Sequence, residues 1–477
     1  MSFLRLPVHF STVVVLAVGC VTPCRAVEAV AVTATIDVAH PGPAVPKSFA
    51  GFSREWRRFP SPDGGPAGAV HPAYLRLIEH LAAFNDEALS FRIGGNSADG
   101  MGAVPEDDRW RQIGEVFKAT RTPIIINLNL AKEDAELDKG LIRAAQRLLP
   151  PGAIATFELG NEPDGWKGRY RPEDYTYEQY LDAFYKVAEQ LVPALTPGLA
   201  GPAWAHSAPP DVLAQFLAKE RPFINLLTVH SYRFDPKSHP EVKKLLDEGP
   251  TAGFAKSLAP GIKVAHDAGL KLRLGEAGSA WGGGIAGFSD TYAVSLWTID
   301  FLFELAHAGL DGVNFHGGGA SHYTAIKEDV DQATGKVVIS ASAPYYGMLV
   351  FAEAVAHEGR FVPVQATGPG NRVKFWATLE HGGTVRVMVL NKDLSVAADV
   401  DLRLPGHDAT ATLKRLEAPS PDATSGLTYA GQTFDQSADG NSVGALKQES
   451  IAMKDGSLRF HIAPASAALL TIASFRD

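Results

Sequence analysis

The chain has 477 residues, 45% of them hydrophobic and 20% charged, with a formal net charge of -9. That much apolar sequence supports a large buried core and excludes a disordered or collagen-like chain. No concentrated basic run marks a nucleic-acid binder, and no internal stretch holds the roughly 20 apolar residues that a membrane span needs.

Arg5, the apolar run from Ser11 to Gly19 and the small-residue site Cys24-Arg-Ala26 have the layout of a secretory signal peptide. Residues 1–26 are therefore expected to be removed, leaving a secreted or periplasmic protein. Ala17-Val-Gly-Cys20 is a weaker lipoprotein signal. Cys20 and Cys24 are the only cysteines, so cleavage after Ala26 leaves no disulfide, no thiolate nucleophile and no cysteine-ligated metal.

Val30–Val38 then alternates apolar and small or polar residues, as a half-buried strand does. Short apolar runs follow at Phe49–Phe52, Leu89–Ile93, Ile124–Leu130, Ala155–Leu159, Leu199–Ala203, Leu226–His230, Leu270–Leu274 and Gly312–Phe315. Amphipathic stretches separate many of them: Ala73–Phe84, Leu137–Leu149, Tyr177–Leu191, Phe254–Ala268 and Tyr292–His307. Strand–helix alternation calls for a parallel sheet, and eight units in order fit a (β/α)8 TIM barrel over residues 45–342 better than an open, doubly wound sheet. Past the helix-like segment Ala343–Ala356, strand patterns recur at Arg372–Thr378, Thr384–Leu390, Ala398–Leu404, Ala409–Leu416, Ser457–Ile462 and Ala467–Ile472. Residues 343–477 thus read as a helix-like linker and an all-β sandwich. The early strand, within residues 27–44, has no partner in the barrel and is expected to join that sandwich.

In such a barrel the side chains at the carboxyl ends of the strands line the active site. The fourth run is followed by Gly160-Asn-Glu-Pro163 and the seventh by Gly275-Glu-Ala-Gly278. A lone loop carboxylate is usually a solvated charge. Glu162 and Glu276, at the exits of two buried strands, instead suit the carboxylate pair of glycoside hydrolysis, in which one acid attacks the anomeric carbon and the other protonates the leaving oxygen. Trp56, Trp166, Tyr232, Trp281 and Tyr323 are available near strand ends as stacking surfaces. His316 and His322 lack a third ligand at metal spacing, and Gly317–Gly319 lacks the Lys-Ser/Thr of a phosphate loop. No metal and no cofactor is expected.

Asn161-Glu162-Pro163 after the fourth strand and Glu276 after the seventh resemble the clan A retaining glycoside hydrolases. Gly275-Glu-Ala-Gly-Ser-Ala-Trp-Gly-Gly-Gly284, then Ser289-Asp-Thr291 and His322-Tyr323, resemble glycoside hydrolase family 79, the β-glucuronidases and heparanases, and most of all a bacterial-type β-glucuronidase. The resemblance implies Glu162 as acid/base, Glu276 as nucleophile and Asn161 as the partner of the sugar 2-hydroxyl. It implies Tyr232 as a hydrogen-bond donor to the nucleophile, and Gly282, Gly283 and Tyr323 as the cradle of a uronic carboxylate. Glycine amides suit that cradle physically, because the backbone approaches an anion with no side chain in the way. Trp281 stands where relatives often carry Tyr, and Arg92-Ile-Gly-Gly-Asn-Ser97 resembles the sugar-binding loop of the second strand, with Asn96 or Ser97 as its contact.

The implied substrate is a glycan or glucuronide ending in glucuronic acid. With no strong basic cluster near the motifs beyond Lys167 and Arg169, exo-acting hydrolysis is favoured over endo-acting cleavage of a sulfated polyanion. A non-catalytic uronic-acid-binding protein on the same scaffold is the alternative of another class.

Overall fold

The computed structural model describes residues 28–85, 89–195, 197–368, 372–404, 409–435 and 437–473; the expected signal segment lies outside them. Strand β1 (Val30–Ile36) is followed by β2 (Ala50–Glu55), β3 (Ser90–Gly94), β4 (Ile124–Leu128), β5 (Ile154–Leu159), β6 (Leu199–Trp204), β7 (Ile224–Phe234), β8 (Lys271–Ala280) and β9 (Gly312–Gly317). Strands β2 to β9 close into a parallel barrel in sequence order, sealed by β2 against β9 with Phe52 opposite Phe315. Closure excludes the open doubly wound sheet. Runs such as Ile124-Ile-Ile126 form barrel strands because β-branched side chains fit a pleated wall buried on both faces.

A helix returns the chain after each barrel strand: Pro72–Ala82, Asp107–Thr120, Ala135–Leu148, Tyr177–Leu191, Pro210–Glu220, Phe254–Asp267, Tyr292–His307 and Ala343–Ala354. The last two are almost wholly buried, as helices become when covered by more than the barrel. Ala343–Ala354, read from sequence as part of a linker, packs on Tyr292–His307 and completes the ring. A hairpin of β10 (Ile326–Val330) and β11 (Val337–Ala341) lies between β9 and that helix.

Beyond it come β12 (Arg360–Val362), β13 (Val364–Thr367), β14 (Val373–Leu379), β15 (Val385–Asn391), β16 (Ala398–Arg403), β17 (Thr410–Glu417), β18 (Thr428–Tyr429), β19 (Glu449–Ala452), β20 (Ser457–Ile462) and β21 (Ser466–Ile472). One sheet runs β13-β1-β16-β20, and the other runs β12-β14-β15-β21-β17-β18 with β19 beside β17. The amino-terminal strand does cross over: β1 pairs parallel with β16 and antiparallel with β13. Between the sheets lies a separate apolar core that includes Ile36, Val387, Val400, Leu470 and Ile472. Trp376 stacks on Phe303 with ring centroids 4.8 Å apart, joining sandwich to barrel. Among the described residues no helix is long and apolar enough to cross a membrane.

Candidate active site

Two backbone irregularities aim the acids. Along β7 and β8, Val229 pairs with Leu274 but His230 pairs with Glu276, so Gly275 is an extra residue in the ladder. Such a bulge re-aims the side chain that follows it. A Cβ on Gly275 would sit 3.2 Å from Glu158 Oε1 and 3.5 Å from the His230 ring, a tight fit that glycine avoids. Strand β8 runs on to Ala280, so Glu276 lies within the strand rather than in the loop beyond it. Glu162 lies just past β5 with φ 46° and ψ 53°, a left-handed conformation that costs a residue with a Cβ about 1–2 kcal/mol. Pro163 further restricts the residue before it. The bond from the Glu162 N–H to Ala203 O (2.9 Å) helps to hold that geometry.

The two acids meet in one pocket. One oxygen of Glu162, one of Glu276 and a ring nitrogen of His230 all lie within 4.8 Å of one another. Arg92, wholly buried on β3, organises the floor. Its Nη1 donates to Glu276 Oε1 (2.5 Å), its Nε to Glu158 Oε2 (2.6 Å) and its Nη2 to Asn161 Oδ1 (2.9 Å). Tyr232 Oη donates to the other oxygen of Glu276 (2.6 Å), and His230 Nδ1 is 2.9 Å from Glu162 Oε1. Burial alone would raise the pKa of Glu276. The charges of His316, His230 and Arg92, together with the Tyr232 hydrogen bond, outweigh it and hold the carboxyl well below the usual carboxylate range. Burial acts to lower the pKa of His230, but the Glu276 charge and the bond to Glu162 prevail and raise it. Among the described residues, Glu162, His230 and Glu276 also form a group with metal-ligand spacing. The guanidinium on Glu276 opposes a cation there, and both oxygens of Glu276 already accept hydrogen bonds.

Among the described residues Asn161 Nδ2 is buried without a partner, a free donor next to the acid pair. The pocket has a volume of about 590 Å³, and Asn96, Tyr232, Trp281, Gly282, Gly283 and Tyr323 line it beside the two acids. The Tyr323 ring packs 5.9 Å from that of Tyr232. Gly282 and Gly283 have φ of 69° and 98°, which glycine alone adopts without cost. Among the described residues their N–H groups donate to no protein acceptor, so both remain available to an anion. Trp281 is 43% exposed, with Lys237 Nζ 5.9 Å from its ring.

Ser97 stands apart from the pocket wall. Its hydroxyl donates to Glu55 and accepts from the Trp56 N–H (2.7 Å), so it holds the first-strand loop. Asn96 does line the pocket, with Oδ1 accepting from Arg169 (2.9 Å). Trp56 and Trp166 are core residues, bound through their indole N–H groups to Asn127 O and to Asn161 O and Asp99. His322 pairs with Asp290, away from His316. Sequence reasoning missed Arg92, His230, His316, Glu55 and Arg57 as parts of the site. For Arg92 and His230 a signal existed, since each lies on an apolar strand where an ionisable side chain needs a partner.

Residues 375–469 match the family model of the glycosyl hydrolase family 79 C-terminal beta domain. A curated relative, a beta-glucuronidase of Aspergillus niger, is 25% identical over 92% of each chain. A second, from Neurospora crassa, is 24% identical over 68% of this chain and 66% of its own. These matches support a likeness to glycoside hydrolase family 79. The fold of the chain is similar to that of a 4-O-α-L-rhamnosyl-β-D-glucuronidase from Fusarium oxysporum, with TM-score 0.76 and 18% identity over 92% of this chain and 100% of that one. It is also similar to a family 51 arabinofuranosidase from Xanthomonas axonopodis pv. citri, with TM-score 0.70 and 16% identity over 93% and 100%. The curated relatives and the carboxyl-terminal domain match indicate a glycoside hydrolase, and the solved structures share its fold.

Proposed function

We propose that the chain is an exo-acting β-glucuronidase that releases terminal β-linked glucuronic acid with retention of configuration. The observation that carries this reading is the approach of Glu162 and Glu276 to within 4.8 Å. Retaining enzymes hold their carboxyl groups about 5–5.5 Å apart, whereas inverting ones leave about 6.5–9.5 Å for a water. Glu276, kept ionised by Arg92 and Tyr232, attacks the anomeric carbon as the glycosidic bond breaks. The bonding pair goes to the leaving oxygen, which takes the proton of Glu162. Glu162, now a carboxylate, then removes a proton from water, whose oxygen attacks the same carbon and releases Glu276. Asn161 Nδ2 donates to the sugar 2-hydroxyl, a contact that strengthens in the transition state. The amides of Gly282 and Gly283 and the Tyr323 hydroxyl receive the uronic carboxylate.

The relatives named as beta-glucuronidases support the choice of sugar. Exo action is favoured because Arg54, a buried cation lining the pocket, is already paired with Glu328 at 2.8 Å. We also read the chain as exported, on the pattern of residues 1–26. The test follows an aryl β-glucuronide by proton NMR. Free glucuronic acid appearing first as the β-anomer is expected. The α-anomer first would overturn retention, shortened heparan sulfate without free uronic acid would favour endo cleavage, and binding without turnover would favour a binding module.

A further inference from the structure

We infer that Asp99 is a positioning residue for the acid/base, acting through a hydrogen-bonded clamp on the peptide that precedes Glu162. The inference rests on the reading of Glu162 as proton donor. Asp99 closes the short helix Asn96–Asp99 after β3, is 1% exposed and touches no wall of the pocket. The buried indole N–H of Trp166 donates both to Asp99 Oδ2 (3.0 Å) and to Asn161 O (2.8 Å). The backbone N–H of Asn161 lies beside the same carboxylate and favours its charged form. The Trp166 indole thus ties the Asp99 carboxyl to the Asn161 backbone. The opposite end of that residue is gripped too, since Arg92 holds its side chain.

The grip answers a mechanical need. Glu162 occupies a left-handed conformation directly before a proline, so its carboxyl stays in place only while the neighbouring peptide cannot turn. A carboxyl oxygen accepts from an indole N–H in either protonation state, which suits Asp at this position. Its surroundings are themselves charged. Burial pushes Asp99 up to about 7, the Trp166 bond, the Asn161 N–H and Arg169 pull it down, and Glu162 pushes it up. Asp99 Oδ1 is buried without a partner among the described residues.

A proton donor moved out of line slows only those reactions that need the proton. The test compares kcat/KM of the full chain on two substrates, phenyl β-glucuronide with a basic leaving group and 2,4-dinitrophenyl β-glucuronide, whose leaving group departs unprotonated. Asp99→Ala is expected to lose roughly 10- to 100-fold on the phenyl glycoside, a part of what general acids contribute, and less than about threefold on the dinitrophenyl one. Asp99→Asn, which keeps an acceptor for Trp166, is expected to recover most of that loss. Trp166→Phe is expected to reproduce the leaving-group dependence and carries the test if Asp99→Ala does not fold. Equal losses on both substrates, or no loss on either, would overturn the role. A native chain that hydrolyses neither glucuronide would overturn the proposed function and this role with it.

Discussion

Arg92 joins three acceptors at once, Glu158, Glu276 and Asn161. A planar fork spans such a set, while the point charge of lysine does not. Arg92→Lys is therefore expected to cut kcat/KM by about 100-fold or more, equivalent to about 2.7 kcal/mol of transition-state stabilisation, with steady-state kinetics on an aryl glucuronide as the check. Tyr232→Phe removes one donor from Glu276. A hydrogen bond to a charged group contributes about 1.5–3 kcal/mol, so the carboxylate loses stability relative to its acid. Its pKa rises, and the acid limb of the kcat/KM pH profile is expected to move to higher pH; an unmoved limb would contradict the assignment. At this scale the two glutamates that the fold brings into one pocket were legible, because strand-exit motifs can be read without side-chain geometry. Arg92 and His230 stayed hidden, because whether a strand residue points into the barrel or out of it depends on register. Ser97 misled for the same reason: its hydroxyl turns to Glu55, which only the fold brings near.

The bulge in β8 illustrates what an element adds. Gly275→Ala would press a methyl group to 3.2 Å from Glu158 Oε1 and 3.5 Å from the His230 ring, inside the charge network rather than in a soft apolar wall. It is expected to lower kcat with a change in thermal midpoint of only a few degrees, measured by kinetics and calorimetry in parallel. All eight barrel strands were legible as apolar runs, yet the bulge was not, since Gly275 reads equally well as the end of a strand. Asp107–Thr120 escaped because its buried Trp110, Ile113, Val116 and Phe117 are set among six charged residues, a narrow apolar stripe. Hairpin β10–β11 escaped because exposed residues such as Val330 and Val338 break the in–out alternation of a half-buried strand.

Across the whole molecule, the sandwich and barrel share a buried ionic knot. Lys392 Nζ lies 2.6 Å from both Asp300 and Glu248, and Lys374 also reaches Asp300 at 2.6 Å. Removing one partner of a buried pair typically costs about 3–5 kcal/mol because the other charge is stranded. Lys392→Ala is expected to lower the thermal midpoint by several degrees, and a change within error would contradict a structural role. Two further groups link folding to pH. Burial pushes Asp138 up to about 8 and Asp99 up to about 7, against about 3.9 in an unfolded chain. The folded state keeps protons that the unfolded chain releases, so the contribution of these groups is fully present at and below the unfolded value and is lost as pH rises toward 8. The thermal midpoint is expected to fall between pH 5 and pH 8, and Asp138→Asn to remove part of that fall. The two-part architecture and the crossing of β1 into the sandwich were legible because an unpaired strand pattern needs a sheet. The ionic knot was not, because Asp300 and Lys392 are distant in sequence and meet only once helix and sandwich have docked.

The most direct test is covalent trapping with a 2-deoxy-2-fluoro glucuronyl fluoride, followed by mass mapping of the labelled peptide. The label is expected on Glu276, one per chain, with turnover lost in proportion. A label on another residue, or no adduct from an active enzyme, would contradict the assignment of Glu276 as the nucleophile.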